Sequence, residues 1–62
     1  MFTKKMLGEK IRNARKNCGL TQQQLGEKLG YKKTTICMWE HGNNEPKGTT
    51  VCMLQDILKV RF

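Results

Sequence analysis

Apolar residues recur along this chain at helical spacing, in short stretches separated by glycines and by a single proline. From about Thr3 to Cys18 the sequence places Met6, Leu7, Ile11, Ala14 and Cys18 on one side, with the basic residues largely between them. This predicts a first amphipathic helix. Gly8 within it lowers the helix propensity, and Gly19 is placed to end it in the left-handed conformation. Thr21-Gln22-Gln23-Gln24 then reads as a capping box, with Thr21 as N-cap and Gln24 reaching back. The helix it starts carries Leu25 and Leu29 on one face and stops at Gly30. Tyr31 opens a short connection. A third helix runs from about Lys32 or Lys33 to Glu40, with Ile36, Trp39 and either Thr35 or Glu40 inward, and ends at Gly42. Residues 41–48, containing Asn43, Asn44 and Pro46, form a polar loop. Thr49 or Thr50 is placed to cap a last helix with Val51, Leu54, Ile57 and Leu58 inward, leaving Val60, Arg61 and Phe62 as a tail.

The elements from Thr21 to Glu40 have a stricter logic. Two short helices joined by a tight turn require Leu25 and Leu29 to meet the core that also receives Ile36 and Trp39. Gly26 stands where the two helices come together, so the absence of a side chain permits close approach. Gly30 stands in the turn, where a positive φ costs glycine little. Apolar, small, apolar, glycine, apolar, apolar, within about twenty residues, is the pattern of a helix-turn-helix.

Size and charge bound what surrounds this unit. With 62 residues the chain has room for one domain, expected over 1–62, and one small core. Twelve Lys and Arg against five Asp and Glu give a formal charge of +7. Lys4, Lys5, Lys10, Arg12, Arg15 and Lys16 stand against Glu9 alone in the first eighteen residues. Such an excess suits a polyanion, with nucleic acid ahead of an anionic membrane surface, or simply a well-solvated helix face. The apolar runs are too short to cross a membrane, and no apolar signal segment follows Met1. The expected location is the cytoplasm, in association with the nucleoid. Cys18, Cys37 and Cys52 are odd in number and widely spaced, which fits thiols in a reducing compartment.

Residues 19–42, G-L-T-Q-Q-Q-L-G-E-K-L-G-Y-K-K-T-T-I-C-M-W-E-H-G, resemble the Cro/repressor (Xre-type) helix-turn-helix family. I-R-N-A-R-K at 11–16 resembles the end of that family's first helix. Pro46 and the T-x-x-x-L…L-K-V pattern at 50–60 resemble its fourth. The resemblance implies an all-α, compact four- to five-helix lambda-repressor-like DNA-binding domain that binds double-stranded operator DNA, usually as a homodimer. Relatives usually carry a fifth helix, which would begin near Phe62. Lys32 stands where a Ser or Thr cap is common, so the third helix is expected to lack a side-chain cap.

The resemblance also implies roles. Lys32, Lys33, Thr34, Cys37 and Met38 are displayed outward by the third helix as candidates for base contact. Lysine donates to guanine O6 and N7, and threonine offers a hydroxyl or a methyl. Gln22, at the start of the second helix where unpaired N–H groups suit a phosphate, is the expected backbone anchor. Gln23, Tyr31, Asn43, Asn44, Lys47 and Arg12 are further candidates for backbone contact. Arg15 and Glu40 match positions that pair between the first and third helices in some relatives. They join Leu25, Gly26, Gly30, Ile36 and Trp39 as structural residues.

Cys37 and His41 have a spacing that suits two metal ligands, but two ligands are not a site. No metal, cofactor or small-molecule ligand is expected. No nucleophile with its base, carboxylate pair or phosphate-cradling loop points to an enzyme. The expected function is a Cro-like repressor or regulator acting at a palindromic operator. The alternatives are an Xre-type antitoxin that also holds a toxin, and charge-driven binding to nucleic acid without sequence preference.

Overall fold

Four helices run in the order α1 (Lys4–Asn17), α2 (Gln22–Leu29), α3 (Lys33–Glu40) and α4 (Gly48–Leu58) in a computed structural model that describes residues 3–62. The first two positions of the expected domain lie outside the described residues. No strand and no fifth helix is found among the described residues. The helices enclose one core built from Ile11, Ala14, Leu25, Ile36, Trp39, Leu54 and Leu58. Because each helix buries only one stripe, α1 and α2 both pack against α3, and α4 closes the core against α2 and α1.

Local chemistry sets the helix ends. Thr3 is extended, and its hydroxyl accepts the Met6 N–H at 3.1 Å to start α1. Gly19 leaves α1 at φ 71°. The capping box of α2 is complete: Thr21 Oγ1 accepts from the Gln24 N–H at 3.0 Å, and Gln24 Oε1 accepts from the Thr21 N–H at 2.9 Å. Gly30 ends α2 at φ 82°, a conformation that a side chain would strain. Lys32 makes no side-chain cap for α3.

Several expectations change. Met6 is 44% exposed, and Cys18 is exposed. The buried stripe of α1 runs instead through Gly8, Ile11, Ala14 and Arg15. Cys18 follows the last turn, and its thiol donates to the Leu58 carbonyl at 3.4 Å. Gly8 is a packing position, because a Cβ there would lie 2.9 Å from the Glu40 carbonyl oxygen and closer still to that of Trp39. Neither Thr49 nor Thr50 caps α4, which begins earlier, at Gly48, after an uncapped Lys47. Thr50 is buried within the first turn. Leu54 and Leu58 are buried, whereas Val51 and Ile57 are half-buried at the margin of the core.

The tail is tied down by Gln55. Lys59 takes the left-handed conformation at φ 56° and donates to the Gln55 carbonyl, as does Val60 at 3.1 Å. The Gln55 side chain accepts the Phe62 N–H at 3.0 Å. Val60 and Phe62 thereby pack, half-buried, against the core.

Candidate nucleic-acid interface

The outward face of α3 follows from what the helix buries. Ile36, Trp39 and Glu40 turn inward, which leaves Lys33, Thr34 and Met38 exposed, with Lys32 exposed just before the first turn. Cys37 is half-buried. Its Sγ lies 3.4 Å from His41 Nδ1, and the same Nδ1 lies 2.8 Å from the Cys37 carbonyl oxygen. The thiol is therefore presented together with an imidazole rather than alone. His41 is exposed one turn beyond Cys37 on the same face. No group of three or more metal-ligating side chains occurs among the described residues.

Behind this face, one carboxylate joins three helices. Glu40 Oε2 accepts from Arg15 Nε at 2.6 Å, and Oε1 accepts from Arg15 Nη2 at 3.1 Å. The Glu40 side chain is 2% exposed and that of Arg15 is 10% exposed, so the charges are withdrawn from water together. Arg15 Nη1 also donates to the Leu20 carbonyl at 2.8 Å, in the turn between α1 and α2. Gln22 Nε2 donates to Glu40 Oε1 at 3.0 Å. Gln22, the expected backbone anchor, is thus half-buried and held. The Gln22–Glu40 contact had no signal in the local pattern.

Gln22, Gln23 and Lys33 share an open cleft of about 510 Å³ with Arg15 and Leu20. The first residues of α2 and of α3 therefore border the same space. The capping box takes up the Gln24 N–H and leaves the Gln22 and Gln23 N–H groups at the positive end of α2, which suits an anion.

Tyr31, a candidate for backbone contact, is tied into the fold. Its ring packs edge-on against Trp39, with centroids 5.0 Å apart. Its hydroxyl lies 3.2 Å from Thr50 Oγ1, joining the turn to α4. The loop after α3 turns at Gly42, where a Cβ would come 2.9 Å from Lys5 Cα, so this loop is seated on the start of α1. Asn43 and Lys47 are exposed in it. Asn44 is half-buried, and its Oδ1 is buried without a hydrogen-bond partner among the described residues. Arg12 is exposed on α1. Gly26 stands against the turn, since a Cβ there would lie 2.5 Å from the Tyr31 carbonyl oxygen and 3.5 Å from Ile36 Cγ1.

Residues 11–62 match a family model described as helix-turn-helix. The chain belongs to the helix-turn-helix family. It is 37% identical over 60 residues to the HTH-type transcriptional regulator DicA of Escherichia coli (strain K12), covering 95% of this chain and 44% of DicA. It is 33% identical over 54 residues to repressor protein C2 of Salmonella phage P22, covering 87% of this chain and 25% of C2. The chain thus spans less than half the length of these curated relatives. Among solved structures, it is similar to the P22 c2 repressor protein in complex with synthetic operator 9T, with a TM-score of 0.82 and 33% identity. That match covers 89% of this chain and 83% of the other. The fold is also that of the clp gene regulator ClgR from C. glutamicum, with a TM-score of 0.86 at 20% identity over 98% of this chain and 79% of the other.

Proposed function

We propose that this chain binds double-stranded operator DNA in a sequence-specific way and acts as a transcriptional repressor or regulator. The observation that carries this reading is the likeness, over 89% of the chain, to the P22 c2 repressor structure held on a synthetic operator. The exposed stripe of α3 supports it. Helix burial sends Lys33, Thr34 and Met38 outward, and an α-helix fits the major groove.

In this reading α3 lies in the major groove. Lys32, Lys33 and Thr34 meet base edges near its start, and Cys37 and Met38 follow one turn on. The first turn of α2, with Gln22 and Gln23, grips a phosphate at the cleft it shares with Lys33. Asn43, Asn44, Lys47 and Arg12 follow the backbone on either side. Phosphate contacts fix register and orientation, and base contacts fix sequence. Two protomers on a palindromic site would place their α3 helices about one helical turn, ~34 Å, apart and exclude polymerase. The kinship to a transcriptional regulator and a repressor favours this over the toxin-holding alternative.

The test is selection of duplexes by the purified chain from a random library, followed by sedimentation of the chain with and without the enriched duplex. Enrichment of a two-fold symmetric site bound by two chains is the expected result. Recovery of unselected sequence, bound without defined stoichiometry, would contradict it.

A further inference from the structure

We propose that Glu40 is a positioning residue for backbone recognition: it holds the carboxamide of Gln22 so that this side chain meets a DNA phosphate already ordered. The proposal rests on the DNA-binding reading above and adds to it a coupling between the phosphate grip and the base-reading helix.

The argument begins with donors and acceptors. An ionised carboxylate only accepts. Glu40 Oε2 is taken by Arg15 Nε, and Oε1 receives both Arg15 Nη2 and Gln22 Nε2. The Gln22 amide must therefore turn its nitrogen inward, because its own oxygen would set lone pairs against the Glu40 lone pairs. One Nε2 proton is used by Glu40 and the second remains for another acceptor. Arg15 does not swing away to release the carboxylate, since Nη1 is also held by the Leu20 carbonyl. The anchor is buried, with the Glu40 side chain 2% exposed, so water competes little for these bonds.

Position supplies the rest. Gln22 is the first residue of α2 and lines the cleft that Gln23 and Lys33 also border. An acceptor seated there meets a side-chain N–H and the Gln22 and Gln23 backbone N–H groups that the capping box leaves unpaired. An exposed glutamine would lose rotamer freedom on making that contact, and prior anchoring removes that cost from binding. Glu40 is also the last residue of α3. The carboxylate that orders the phosphate-gripping side chain is thus fixed to the helix whose other face reads bases, which sets the register between the two contacts.

The experiment uses the duplex enriched by the full chain, and a series of the same duplex with one phosphate at a time replaced by an uncharged methylphosphonate. With the wild-type chain, one phosphate per half-site should cost about tenfold in affinity, the scale of one charge-assisted hydrogen bond with its charge. Gln22→Met should reduce the cost at that phosphate and leave the others unchanged. The paired replacement Arg15→Met/Glu40→Leu removes the anchor while keeping the site filled with apolar groups. It should reduce the cost at the same phosphate, and adding Gln22→Met to it should weaken binding no further.

An undiminished cost at that phosphate, or full additivity of Gln22→Met with the paired replacement, would overturn the assignment. Should the paired variant fold poorly, the wild-type chain answers the question by itself. Its two Gln22 side-chain amide protons should be displaced from the pair of positions of a free glutamine, with one unmoved and the other shifted on adding the duplex. Both protons at the usual pair of positions of a free glutamine would overturn the assignment. If no duplex is enriched at all, the DNA-binding reading falls and this one with it. If a duplex is enriched and the Gln22 signature is missing, the coupling alone falls.

Discussion

Gly8 in α1 lies directly against the backbone carbonyl of Trp39 near the end of α3, with the Glu40 carbonyl beside it. Two helices meet here without a side chain between them, and the approach brings Arg15 within reach of Glu40. Alanine would favour the isolated α1 helix by about 1 kcal/mol. In the folded chain its Cβ would collide with backbone that cannot rotate away, and overpacking of this kind costs about 1–3 kcal/mol or more. The collision outweighs the propensity gain. Gly8→Ala should therefore lower stability, read as a fall in the urea midpoint. An unchanged or raised midpoint would show that α1 and α3 are not seated this closely.

Glu40→Ala should destabilise far more than a surface change. It leaves Arg15, whose side chain is 10% exposed, with the Leu20 carbonyl but no carboxylate. Breaking a buried pair from one side costs about 3–5 kcal/mol. That is a large share of what so small a domain has available. The paired Arg15→Met/Glu40→Leu replacement should recover most of that loss, because it leaves no stranded charge. Comparison of melting temperatures checks both statements. A Glu40→Ala chain that melts like the wild type would remove the pair from the account.

Tyr31→Phe tests the correction at the turn. The hydroxyl bonds to Thr50 in α4, so its loss should lower stability by about 1 kcal/mol, measured by denaturant titration. The Trp39 contact is kept by phenylalanine. A loss of duplex affinity with unchanged stability would instead favour the hydroxyl as a phosphate contact.

Lys33→Ala separates the two uses open to a lysine at the start of α3. As a base contact, Lys33 should carry discrimination at one base pair per half-site, and its removal should relax the preference there by about 1–3 kcal/mol. A duplex series varied one base pair at a time measures this. Equal weakening across all sequences, with the salt slope reduced by about one per protomer, would make Lys33 a phosphate contact instead.

These predictions divide along the same line as the legibility of the sequence. The α2 boundaries could be read directly, because Thr21, Gln24 and Gly30 act on backbone groups within a turn of themselves. The inward residues of α3 could be read because Ile36 and Trp39 are bulky and apolar. Gly8 could not, since its role depends on where the far end of α3 arrives, and a glycine in a helix otherwise signals only weakness. Thr50 resembled a cap until its partner, Tyr31 in the turn before α3, was in view. The hold on Gln22 could not be read, because the residue that holds it lies eighteen positions away. Long-range polar contacts leave no periodic trace, whereas caps and apolar stripes do.

Sequence reading by α3 is decided by a competition between two duplexes. The enriched duplex and a scrambled duplex of equal length are bound at the same fixed salt concentration. The account predicts that the enriched duplex binds about a thousandfold tighter or more, the lower range for sequence-specific proteins. Equal affinities for the two duplexes, both falling steeply as salt is raised, would show binding by charge alone and contradict it.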